Sequence, residues 1–137
     1  MNLVQKQILV VDDNQDIRAL IIQMLDGEDY NILTAKNGNE ALEIIESHRF
    51  DLILLDVMMP GKSGMEVLTE IRSSKDSKIK NLAVVMITAK SLIDDIDAAL
   101  SAGATSYIVK PFRSETIKQK IQLRVSELIY YGIQGVM

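Results

Sequence analysis

The run Asp51-Leu52-Ile53-Leu54-Leu55-Asp56 sets four large aliphatic residues in a row between two aspartates. A strand with one face in water alternates apolar and polar residues. A strand this uniformly apolar needs cover on both faces, as in a parallel sheet whose crossover helices pack on either side. The rest of the chain supplies the material for such a sheet, because short β-branched runs alternate with patterns of helical period.

Ile8-Leu9-Val10-Val11 is the first run, followed by Ile17, Leu20, Ile21, Met24 and Leu25, the stripe of an amphipathic helix that Gly27 ends. A weaker strand over Tyr30 to Ala35 precedes a helix from about Asn37 to Ser47. After "DLILLD" and the turn "MMPGKSG", the spacing predicts a helix near Met65 to Arg72, a polar loop "SSKDSKIKN" and a strand over Leu82 to Ile87. Ser91 with Asp94 has the form of a capping box opening a helix that carries Leu92, Ile96, Ala99 and Leu100, closed by Gly103. A strand over Ser106 to Val109 and a helix from about Ser114 to Tyr130 complete five βα units. Alternation of this kind predicts an α/β fold: a parallel sheet with helices on both faces, since right-handed crossovers place each helix against the sheet.

In open sheets of this type ligands bind beyond the carboxyl ends of the strands. Just past those ends stand Asp12 and Asp13, Asp56, Thr88 and Lys110. Singly each has an ordinary explanation: Asp13 as a helix N-cap, Asp56 as a turn former, Thr88 as a strand-end residue, Lys110 as a solvated lysine. Together they would share one edge. Two unit charges 4 Å apart cost roughly 4 kcal/mol at an effective dielectric of about 20, so three ionised carboxylates there call for a cation or for protonation of one of them. Oxygen ligands without His or Cys select Mg²⁺ or Mn²⁺. Lys110 and the Thr88 hydroxyl can donate to phosphoryl oxygens, and a carboxylate such as Asp56 can act as nucleophile to give an aspartyl phosphate.

The segments "ILVVDDN", "DLILLDVMMPGKSG", "VVMITAK" and "YIVKPF", spread in order over residues from about 5 to 128, resemble the receiver domain of response regulators in two-component phosphorelays. The resemblance implies a flavodoxin-like, doubly wound (βα)5 sandwich with strand order 2-1-3-4-5. It also implies a receiver over residues 1–130, with 131–137 as a tail or the start of a linker. It assigns phosphoryl acceptance to Asp56, from a sensor histidine kinase or a histidine phosphotransfer protein. Asp13, Asp56 and the backbone carbonyl of Met58 would ligate Mg²⁺, with Asp12 acting largely through water. Thr88 and the Ala89-Lys90 loop would move toward the phosphoryl group and Tyr107 would rotate inward. The face of the fourth helix, fifth strand and fifth helix would then change for a downstream effector. Such a receiver is a signalling protein and not an enzyme, although it catalyses its own Mg²⁺-dependent phosphorylation and slow dephosphorylation. Met58 and Lys90 occupy positions that tune the latter in the family. Lys110-Pro111 resembles the family's cis peptide, and Asn14 stands where a third acid could appear.

Composition narrows the field further. A chain near this length of 137 residues buries about 68–70% of its unfolded surface, and 47% hydrophobic with 25% charged residues is ordinary for a globular domain. Fifteen Lys and Arg against nineteen Asp and Glu, with no basic block, argue against direct nucleic-acid binding. The absence of cysteine excludes disulfides and thiolate metal sites. No segment reaches the ~20 apolar residues of a membrane span, so a soluble cytoplasmic protein without membrane contact is expected. A flavin-binding protein of the same architecture would need a Ser/Thr/Gly-rich loop where "DDNQD" places acids, and an aspartyl-phosphate hydrolase would carry a second carboxylate close after Asp56. A receiver-like adaptor that works without phosphorylation should lack Asp56, Lys110 or the acidic pair. His48, at a helix end, reads as solvated or capping. The apolar tail residues Ile129, Tyr130, Tyr131 and Ile133 suggest contact with another surface, such as a second copy in a homodimer, or packing on the domain's own core.

Overall fold

A computed structural model describes residues 5–89 and 92–124. Its five strands are β1 (Lys6–Val11), β2 (Tyr30–Ala35), β3 (Leu52–Asp56), β4 (Ala83–Thr88) and β5 (Ser106–Val109), paired in parallel in the order β2-β1-β3-β4-β5. The helices are α1 (Gln15–Met24), α2 (Gly38–Ser47), α3 (Gly64–Arg72), the one-turn α4 (Ser77–Lys80), α5 (Ile93–Ser101) and α6 (114–124 among the described residues). The expected fold and strand order are both present. The loop "SSKDSKIKN" holds the additional turn α4, capped by Asp76, so the helices expected as fourth and fifth are α5 and α6.

The sheet separates two apolar layers by simple alternation. Leu9, Val11, Ile53, Leu55, Val84 and Met86 point to the layer under α2, α3 and α5. Ile8, Val10, Leu52, Leu54, Val85 and Ile87 point to the layer under α1 and α6. All four aliphatics of "DLILLD" have no solvent exposure, which is the double cover their uniformity demanded. At about 1.5–3 kcal/mol for each such side chain withdrawn from water, β3 and its neighbours supply a large part of the driving force.

Helix starts are specified by side chains, not always those anticipated. Asn14, not Asp13, caps α1, its Oδ1 accepting from Asp16 and Ile17 N–H at 2.8 and 3.2 Å. Asn37 caps α2 in the same manner. A full capping box occurs at Ser63 and Glu66, opening α3. α5 has Leu92 as its N-cap, with no side-chain cap bond; the box expected from Ser91 and Asp94 depends on Ser91, which lies outside the described residues. Leu20, placed in the apolar stripe of α1, is 40% exposed, while Ile21 and Leu25 are buried.

Candidate functional site

Parallel pairing brings the carboxyl ends of β1, β3, β4 and β5 to one edge, and with them Asp12, Asp13, Asp56, Thr88 and Lys110. Carboxylate oxygens of Asp12, Asp13 and Asp56 lie within 4.8 Å of one another. Asp12 and Asp56 are buried and Asp13 is exposed, so the cluster opens to solvent on the Asp13 side. Lys110 Nζ stands 3.3 Å from Asp12 Oδ2 and 3.4 Å from Asp56 Oδ1, bridging the two buried acids from across the sheet edge. Its backbone N–H donates to Thr88 O at 2.7 Å, fixing the end of β5 against β4, and the Lys110–Pro111 peptide is cis, as expected.

Local structure holds these groups in place. Asp12 Oδ1 accepts from Asn14 N–H at 2.9 Å, and Asp56 Oδ1 accepts from Met58 N–H at 3.3 Å. Arg18, one turn into α1, donates to the Asp12 carbonyl at 2.6 Å and ties the acidic loop to its helix. Gly64 begins α3 so close behind Asp56 that an added Cβ would sit 2.2 Å from the Asp56 carbonyl oxygen. Sequence reasoning missed both Arg18 and Gly64. A lone Arg on an amphipathic helix and a Gly in a turn have commonplace explanations, and only the backbone they meet gives them a site role.

Electrostatics follow from burial. Desolvation pushes the Asp56 carboxyl up to about 6, and the Asp12 charge adds to the rise, while Lys110 and the Met58 N–H oppose it. Two buried acids and one cation thus leave negative charge only partly compensated. The donor set is all oxygen, with no nitrogen or sulfur ligand, and suits a hard divalent cation that keeps part of its water shell. Thr88 is fully buried beside it. Tyr107, on β5, has its phenol pushed up by burial, a rise that a hydrogen bond with the Thr88 side chain opposes and the Asp95 carboxylate increases. Thr88, Tyr107 and the first turn of α5 are therefore neighbours. Met58 is 56% exposed at the mouth of the cluster. Lys90 lies outside the described residues.

His48, expected to be solvated or capping, stands apart from this group as the exposed C-cap of α2. Its Nδ1 lies 3.0 Å from Ser47 Oγ and its ring is stacked on Phe50, next to Asp51, which precedes the amino end of β3.

The family profile described as the response regulator receiver domain matches residues 8–122. The chain belongs to the response regulator receiver family. This receiver is 37% identical over 117 residues to the chemotaxis protein CheY of Pseudomonas aeruginosa, covering 85% of this chain and 93% of that protein. It is 39% identical over 116 residues to the response regulator ArlR of Staphylococcus aureus, covering 85% of this chain and 51% of ArlR. The receiver spans about half the length of several curated relatives it matches. Among solved structures it superposes on the chemotaxis response regulator CheY4 of Vibrio cholerae with a TM-score of 0.81 at 32% identity, covering 88% of this chain and 99% of that one. Membership implies phosphorylation-dependent signalling. No helix of the described residues is long and apolar enough to cross a membrane.

Proposed function

We propose that this receiver is a phosphoryl-accepting switch in which Asp56 takes the group from a phosphohistidine on a sensor histidine kinase or histidine phosphotransfer protein. The observation that carries the reading is the bridge of Lys110 between Asp12 and Asp56, beside a third carboxylate, at the sheet edge. A lysine drawn onto two buried acids is poised to follow phosphoryl oxygens once one acid becomes an acyl phosphate.

The Asp56 carboxylate oxygen forms the new O–P bond while the N–P bond breaks and the imidazole leaves, its nitrogen taking a proton from solvent. Transfers of this kind depend on positioning and charge neutralisation more than on a general base. Asp12, Asp13, Asp56 and the Met58 carbonyl would hold Mg²⁺ or Mn²⁺, which when bound neutralises charge on the transferring group. Lys110 donates to a phosphoryl oxygen, and the buried Thr88 hydroxyl turns to donate another. Because Thr88 and Tyr107 share a hydrogen bond, that turn releases or redirects the tyrosine and alters the face of α5, β5 and α6 for an effector or a second copy. Met58, 56% exposed at the mouth, excludes water only weakly, which bears on the lifetime of the aspartyl phosphate. The unit carrying this switch is the receiver of residues 1–130; the tail 131–137 and its apolar residues lie outside the described residues.

Incubation with Mg²⁺ and a small acyl or amido phosphate is expected to add one phosphoryl group by intact mass. Asp56→Asn and chelation each abolish the adduct. No adduct from the unmodified protein with several donors would replace this reading with that of a constitutive adaptor.

A further inference from the structure

The two ends of α5 are held very differently. At the amino end Leu92 and Ile93 are 71% and 75% exposed, and the N-cap makes no side-chain bond. Along the helix only Ala99 is buried, whereas α3 buries Val67, Leu68 and Ile71. At the carboxyl end the chain turns through Gly103 at φ +108°, with Gly103 N–H bonded to Leu100 O and Ala104 N–H to Ala99 O, both at 3.0 Å.

One side chain fastens that end to the rest of the molecule. Arg72, the last residue of α3, donates from Nε to Gly103 O at 2.9 Å, from one terminal nitrogen to Lys80 O at 2.8 Å, and from the other to Thr105 Oγ1 at 3.4 Å. Thr105 is itself locked to β4, its N–H donating to Val84 O at 2.8 Å and its Oγ1 accepting from Val84 N–H at 2.9 Å. A Cβ at Gly103 would come within 3.0 Å of the Arg72 side chain, so the guanidinium fits against bare backbone. A planar fork spreads its donors over three nitrogens and so reaches three separated acceptors at once, whereas an ammonium presents its three donors from a single atom.

We infer that Arg72 is the pivot of α5: by clamping Gly103, Thr105 and Lys80 it fixes the carboxyl end of the helix, so that the switching movement is confined to the amino end. Asp95 in the first turn lies near Tyr107, which places the input of the Thr88–Tyr107 pair at the free end of this lever and the clamp at the other. Arg72 is a positioning residue; it touches none of the reacting groups. The inference rests on the proposed relay of Asp56 phosphorylation through α5.

The test is amide hydrogen exchange by mass spectrometry on the full chain, with and without Mg²⁺ and a small acyl phosphate. On phosphorylation of the unmodified protein, peptides covering 92–97 are expected to change exchange by about fivefold or more and those covering 99–106 by less than about twofold. In Arg72→Ala the phosphoryl adduct forms at the unmodified rate, but the change spreads into 99–106. Arg72→Lys keeps the charge and the aliphatic stem without the fork and shows the same spread in weaker form, which serves if the alanine variant does not fold. Equal changes at both ends of α5 in the unmodified protein, or a change still confined to 92–97 in both variants, would overturn the pivot while leaving the relay intact. An adduct that changes no part of α5 overturns the relay and the pivot with it; failure to form any adduct overturns phosphoacceptance as well.

Discussion

The chemistry rests on how a few side chains share charge. In the metal-free protein Asp56 titrates at about 6, above the ordinary 3.8, so the folded state retains a proton that the unfolded chain releases. The contribution of this group to stability is fully present below about pH 4 and is lost as pH rises through about 6, a difference of about 3 kcal/mol. Asp56→Asn removes the repelling charge and is expected to raise metal-free stability by about 2–3 kcal/mol at pH 7.5 and by much less at pH 4.5, read from urea unfolding at the two pH values. Lys110→Ala acts in the opposite sense, leaving two buried acids without their cation. It is expected to slow phosphoryl uptake by about a hundredfold and to raise the Asp56 pKa further, followed by carboxyl NMR titration.

The elements show what positions those side chains. Ser63→Ala removes one half of the capping box of α3 and is expected to cost about 1 kcal/mol in thermal or chemical unfolding. Gly64→Ala is more severe, because the added methyl would overlap the carbonyl of Asp56 and must displace the β3–α3 junction. Phosphoryl uptake by that variant is expected to fall along with its melting temperature, whereas Ser63→Ala keeps its uptake. Much of this level was legible in the chain: "DLILLD" announced a doubly covered strand, and the acids, Thr88 and Lys110 at the strand ends announced a shared edge. The capping-box spacing of Ser91 and Asp94 falls partly outside the described residues, and the described start of α5 has Leu92 as its N-cap. A four-residue helix such as α4 is too short to show a period. Arg18 and Arg72 were illegible for another reason. Their acceptors are almost all backbone carbonyls, which leave no trace in residue identity.

At the scale of the whole molecule the two edges of the sheet differ in character. The carboxyl edge gathers the acids and the lysine, while the amino edge carries a cavity of about 750 Å³ bordered by Gln7, His48, Phe50, Asp51 and Leu82. His48→Ala, on that far side, is expected to leave phosphoryl uptake unchanged in the same intact-mass assay. Leu52, Ile53, Leu54 and Leu55 alternate between the two cores and hold β3 firmly, and Leu54→Ala is expected to cost about 2–5 kcal/mol by chemical unfolding. Asp56 terminates that strand, so the proposed nucleophile is mounted on a firmly held strand end and a phosphoryl donor would have to adjust to it. Under the proposed role, recognition of a donor would fall to the surrounding loops, whose side chains can vary without shifting the carboxylate held at the strand end.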